Sequence, residues 1–139
     1  MGQTIGRRYV TDVRVRWSDL DAFGHVNNAS TVTLLEEARV DWLFIDAAAH
    51  DVQRLTEGIV VAQLDISYKL PIPFGHPVTV SMGIGKLGGS AFTIDYLVTL
   101  RDQLTAVASS VLVPLDPATL RPRRLDPTER GYLQRFLES

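Results

Sequence analysis

Trp17 to Arg39 reads WSDLDAFGHVNNASTVTLLEEAR and gathers residue types suited to carbonyl chemistry: Asp19 and Asp21, a turn glycine at Gly24, His25, and the paired Asn27 and Asn28. The run leads into an amphipathic helix. The first turn of a helix carries backbone N–H groups with no intrahelical partner, and such groups stabilise a negative oxygen forming on a substrate carbonyl. A carboxylate delivered beside them by a turn can act as general base for water or as nucleophile. The same residues have plainer uses. Asp caps turns and helices readily, and Asn27 and Asn28 are natural N-caps. A lone His in a turn is as often a packed, hydrogen-bonded residue as one that orients a carboxylate or meets substrate.

The elements that must hold this segment follow from periodicity. Tyr9, Thr11, Val13, Val15 and Trp17 alternate with Val10, Asp12, Arg14 and Arg16 as a half-buried first strand that ends at Ser18. Leu35, Ala38, Trp42, Ile45 and Ala49 recur at spacings of three and four, which predicts one long helix over roughly Ala29 to Ala49. Four more strands are expected. Ile59 to Tyr68 places Val60, Ala62, Leu64, Ile66 and Tyr68 on one face, and Pro71 and Pro73 stop it. A meander follows through Val78 to Ile84, a Gly88-Gly89 turn, Phe92 to Leu100, a turn at Arg101-Asp102-Gln103, and Thr105 to Leu115. Asp126, Pro127 and Glu129 then match an N-cap, a first-turn proline and a capping-box acid opening a short C-terminal helix. The expected class is α+β, with a curved five-stranded antiparallel sheet wrapped around one long central helix.

Composition narrows the functional classes. At 139 residues and 45% hydrophobic, the chain is expected to form one domain spanning 1–139. A formal charge of -2 offers no broad attraction to nucleic acid or anionic membrane, and neither is an expected partner. Without cysteine there is no disulfide, thiol nucleophile or thiolate metal site. The N-terminal MGQTIGRRYV has no apolar signal-peptide core, so the expected location is the cytoplasm. A calcium loop starting at Asp19 fails at Phe23 and Ser30, where ligands belong, and His25, His50 and His76 show no zinc-protease spacing, so no metal is expected.

Asp19-Leu20-Asp21, Gly24-His25-Val26-Asn27-Asn28, Glu36-Glu37-Ala38-Arg39, Tyr68-Lys69-Leu70-Pro71, Phe74-Gly75 and Ser90-Ala91-Phe92 together resemble the hotdog-fold acyl-CoA thioesterases of the 4-hydroxybenzoyl-CoA thioesterase type. The resemblance runs from about Val13 to about Val113. It implies the hotdog fold, an acyl-CoA substrate, coenzyme A only as part of that substrate with no separate cofactor, and Asp21 as the catalytic carboxylate. By the same likeness the thioester carbonyl points at the helix N-terminus, at the amide of Asn28, with Gly24, His25 and Asn27 around it.

In the 4-hydroxybenzoyl enzyme a basic cluster before the fourth strand serves the coenzyme A phosphates. Here that turn offers Lys86, Gly88, Gly89 and Ser90, whose backbone amides can form an anion nest but equally make a simple hairpin turn. Arg121, Arg123 and Arg124 form the strongest local basic patch, able to reach a phosphate across a subunit interface or to stay in solvent. Thr31 and Leu35 stand where many relatives carry aromatic residues, which leaves the acyl group open.

Rival carboxylates are Glu36 and Glu37, because another branch of hotdog thioesterases carries its acid on the central helix. Glu36 can pair with Arg39, and Glu37 and Asp41 repel at a spacing of four, so a charged helix face is the preferred reading. Asp65 is a weaker candidate on a polar strand face. The expected function is acyl-CoA hydrolysis, with a hotdog enoyl-CoA hydratase or dehydratase, or a noncatalytic acyl-CoA binding module, as alternatives. An open edge strand after the meander predicts a homodimer or homotetramer.

Overall fold

The computed structural model describes residues 2–138. Within them six strands form one antiparallel sheet: β1 (Gln3–Ile5), β2 (Arg8–Val13), β3 (Ile59–Tyr68), β4 (Val78–Leu87), β5 (Phe92–Leu100) and β6 (Gln103–Pro114), in the spatial order β1-β2-β4-β5-β6-β3. Helix α1 (Asn28–Arg39) continues through a π-helical stretch, Val40–Asp46, into α2 (Ala47–Ala49), and α3 (Pro127–Gln134) follows the sheet. Leu34, Leu35, Ala38 and Trp42 of the long helix join Val80, Met82, Ile94, Tyr96 and Ala106 of the sheet in one buried cluster. Among the described residues no helix is long and apolar enough to cross a membrane.

The sheet has six strands rather than the expected five. The extra one, β1, is three exposed residues turned back on β2 through Gly6, and so short an edge carries no alternation to read. The first predicted strand is also too long. Its ladder stops at Val13, because Trp17–Asp19 form a 3-10 turn and Trp17 stands out in solvent, 78% exposed.

Two phase shifts alter which side chains face inward. In the π-helical stretch the hydrogen bonds span five residues instead of four. The apolar stripe therefore slips: Leu43 and Ala47 are buried, while the expected Ile45 is 49% exposed. In β3 a bulge falls between Val61 and Gln63. Directly paired residues share a face, and Val61 opposite Leu112 looks toward α1, as do Leu64, Ile66 and Tyr68 beyond the bulge. Val60, placed inward by strict alternation, is on the outer face.

The capping prediction for α3 holds. Asp126 accepts the Glu129 N–H (2.7 Å), and Glu129 accepts the Asp126 N–H (2.9 Å). The hairpin between β5 and β6 turns on Arg101 and Asp102, both at positive φ, the twist that a two-residue antiparallel connection favours.

Candidate functional site

Asp21 closes its own turn. Its N–H donates to the His25 carbonyl (2.8 Å), and its Oδ1 accepts the N–H groups of Phe23 (2.8 Å) and His25 (3.3 Å). Gly24, at φ +79°, supplies the left-handed residue that reverses the chain. Oδ2 is left without a protein donor among the described residues.

Asp19 is the structural partner of the pair. It is 2% exposed and receives the Arg16 N–H (2.8 Å) and guanidinium (2.8 Å), while its carbonyl accepts the Asn27 N–H (2.8 Å). Hydrogen bonding from the Arg16 side chain holds its carboxyl below the usual carboxylate range despite its burial. Two aspartates two residues apart thus have separate environments: one locked under the turn, one at its surface.

The turn is anchored where Val26 donates to the Ile72 carbonyl (2.8 Å), so the segment after β3 forms the opposite wall. Between them lies a cleft of about 300 Å³ whose lining includes Asp21, His25, Asn28, Thr31, Tyr68 and Lys69. Asn27 caps α1, its Oδ1 accepting the Ala29 N–H (2.8 Å). The Asn28 N–H, one position earlier, meets no protein acceptor among the described residues. Tyr68 donates its hydroxyl to the Asn28 carbonyl (2.7 Å), fixing the helix start, and burial raises its phenol above the ordinary value. In the sequence Tyr68 and Lys69 stand out only as part of a longer block. Their place at the cleft follows from the strand ending beside the helix N-terminus.

The structure brings together Asp21, His25 and Asn28, but not the second group of expected site residues. Lys86, Gly88, Gly89 and Ser90 line a separate depression of about 530 Å³ with Val111 and Val113. From Thr105 at the first cleft to Val113 is roughly 25 Å along β6 at about 3.3 Å per residue. Arg124 lies over Gly89, with its guanidinium 3.1 Å from where a Cβ would stand, so the missing side chain permits the approach. Arg130 donates to the Gly88 carbonyl (2.6 Å). Of the expected arginine patch, Arg123 is committed to Glu129 through two 2.7 Å bonds, whereas Arg124 stands beside the turn.

The rival carboxylates lie elsewhere. Glu36 borders a different cleft, Asp65 faces the outer side of the sheet, and Arg39 turns inward to Tyr96 (3.2 Å) instead of pairing with Glu36. His50 lies against Asp46 and His76 against Arg101. Among the described residues no group of three or more His, Cys, Asp or Glu side chains is placed to hold a metal ion.

Residues 15–133 match the model of the thioesterase-like superfamily. The chain belongs to this superfamily. It is 28% identical over 135 residues to the long-chain acyl-CoA thioesterase FadM of Escherichia coli strain K12, covering 92% of this chain and 98% of that protein. A thioesterase of Thermus thermophilus, solved with coenzyme A and zinc, is 32% identical, with a TM-score of 0.75 over 90% of this chain and 91% of that one. A predicted thioesterase of Bacillus stearothermophilus is 25% identical, with a TM-score of 0.80 over 94% of this chain and 97% of that one. The likeness read from the Asp19 to Asn28 segment thus extends to the thioesterase fold across nearly the whole chain, and the enzyme class is thioester hydrolase.

Proposed function

We propose that this chain hydrolyses acyl-CoA thioesters to a free acid and coenzyme A. The observation that carries the reading is the free Oδ2 of Asp21 sharing one cleft with the unpartnered Asn28 N–H. The thioester carbonyl oxygen accepts that N–H, and its charge grows as the carbonyl carbon becomes tetrahedral. Asp21 acts ionised, taking a proton from the attacking water or attacking the carbon itself to give a mixed anhydride that water then opens. In both cases the C–S bond breaks and coenzyme A leaves as its thiolate. His25 lines the same cleft and contacts the acyl-thioester portion. Gly24 and Asn27 serve by shaping and capping the turn.

The working unit is a homodimer joined along β3, or a tetramer of such dimers. Among the described residues β3 pairs only with β6, leaving its other edge open over ten residues. Antiparallel pairing of two such edges sets Tyr68 beside Ile59 of the partner subunit. The Gly88 turn of the partner subunit then lies about three strand spacings away, roughly 15 Å at about 4.8 Å each. An extended pantetheine arm covers that span, so the thioester rests at Asp21 of one subunit while the phosphates meet the Lys86 to Ser90 turn and its neighbouring arginine, Arg124, on the other.

Thiol release measured across a panel of acyl-CoAs, with enoyl-CoA hydration followed alongside, tests the activity. Hydration without hydrolysis, or binding without either, overturns it. Arg124→Ala is expected to raise KM for acyl-CoA about tenfold with kcat little changed, since a surface phosphate contact contributes to ground state and transition state alike. An N-acetylcysteamine thioester, which lacks the nucleotide, should show no such change. Equal effects on both substrates would remove Arg124 from phosphate binding.

A further inference from the structure

Arg39 is a buried cation without a counter-charge among the described residues. It is 9% exposed, and the partner found for its guanidinium is the neutral Tyr96 hydroxyl (3.2 Å), itself held by Ser110. No described carboxylate lies within ion-pair distance of it. A guanidinium withdrawn from water without compensation is costly, so a partner outside the chain is implied. The guanidinium borders a cleft of about 270 Å³ between the long helix and β3, lined also by Glu36, Val40, Phe44, Ile59 and Val61. Glu36 stands exposed at its rim and makes no hydrogen bond or ion pair among the described residues. On the same helix face, at spacings of four, Val32 and Val40 are also exposed.

This face is self-complementary about a single axis. The helix runs opposite to β3: Asn28 meets Tyr68 at one end, and Arg39 and Phe44 meet Ile59 and Val61 at the other. The point midway between Glu36 and Arg39 lies roughly 14 Å from Asn28 at about 1.5 Å per residue. The midpoint of β3 lies roughly 15 Å from Tyr68 at about 3.3 Å per residue. A two-fold axis through the middle of β3 therefore also passes the helix between Glu36 and Arg39. Two-fold symmetry then matches residue 36 of one chain with residue 39 of the other, twice.

We infer that a second copy of this chain fills the cleft between the long helix and β3, with Glu36 of each subunit paired to the partner's Arg39. The inference rests on the β3-edge dimer and goes beyond it, because edge pairing uses backbone groups and requires no particular charge on the helix.

The test uses two charge-reversal variants, Glu36→Lys and Arg39→Glu, in sedimentation dilution series. Each alone places like charges together at both contacts, so each homodimer should dissociate at least about a hundredfold more readily than wild type, as two repulsive juxtapositions require. An equimolar mixture restores both opposite-charge contacts and should return the dimer to within about threefold of wild type. Should Arg39→Glu fail to fold by circular dichroism, Glu36→Gln, at a side chain with no bond in its own fold, should still weaken the dimer about tenfold.

The outcomes separate the inference from the reading beneath it. A wild-type chain that sediments only as a monomer ends the β3-edge dimer itself. Dimers that persist in both variants, with no preference for the mixture, leave that dimer standing and overturn the exchange. An Arg39→Gln variant with normal dimerisation that loses only hydrolysis of acyl-CoAs ending in a distal carboxylate would likewise overturn it, assigning Arg39 to acyl recognition.

Discussion

Asp21→Asn lowers turnover of a good acyl-CoA substrate by about a hundredfold or more, the usual cost of losing a positioned general base, while fold and assembly survive. The amide keeps the shape and an oxygen for the Phe23 and His25 N–H groups, so the turn closes as before. What disappears is the negative charge opposite the Asn28 amide. Glu37→Gln has no comparable effect, because Glu37 is exposed and does not line the Asp21 cleft. Glu36→Gln is mild when assayed at concentrations that keep the protein assembled. Near-wild-type turnover by Asp21→Asn would defeat the mechanism, and a dead Glu37 variant beside it would move the acid onto the helix.

The largest loss of stability is expected from Glu129→Ala, about 3 to 5 kcal/mol, the range for breaking one side of a buried ion pair. Glu129 is 1% exposed and receives both terminal nitrogens of Arg123 and the Asp126 N–H. The Arg123 guanidinium is in turn held charged more firmly than usual, first by its hydrogen bonds to Glu129. Removing the carboxylate takes away the reciprocal half of the α3 capping box, just ahead of Phe136, which follows the helix and packs on Trp42, and leaves the Arg123 guanidinium without that carboxylate. Urea unfolding followed by circular dichroism measures the loss. A change below about 1 kcal/mol would mean that water replaces the carboxylate at little cost.

How much was legible in the sequence depended on whether a rule was local. The α3 cap, the Asp21 turn and the alternations from Val78 to Ile84 and from Phe92 to Val98 are each written within a few residues, and each appears in the structure where expected. The π-helical stretch and the β3 bulge insert one residue into a period, so every side chain beyond them changes face. No alternation pattern marks Ala62 as the extra residue. Arg39 misled for a different reason: spacing offered Glu36 three positions away, but burial against Tyr96 decided where its side chain went. The separation of Lys86 to Ser90 from Asp21 is a matter of strand order, which a motif read along the chain does not contain.

The two tryptophans occupy opposite extremes of environment, which gives the molecule two independent optical reporters. Trp42 is fully buried, stacked on Tyr9 at 6.0 Å and edge-on to Phe136 at 5.0 Å, so its emission is expected to be blue-shifted and shielded from iodide until the core opens. Trp17 stands in solvent on the short turn that ends at Asp19, two residues before Asp21, and its emission is expected to be red-shifted, open to quenchers and responsive to the Asp21 turn. Emission collected at the two ends of the spectrum therefore separates ordering of the Asp21 turn from unfolding of the core in a single cuvette.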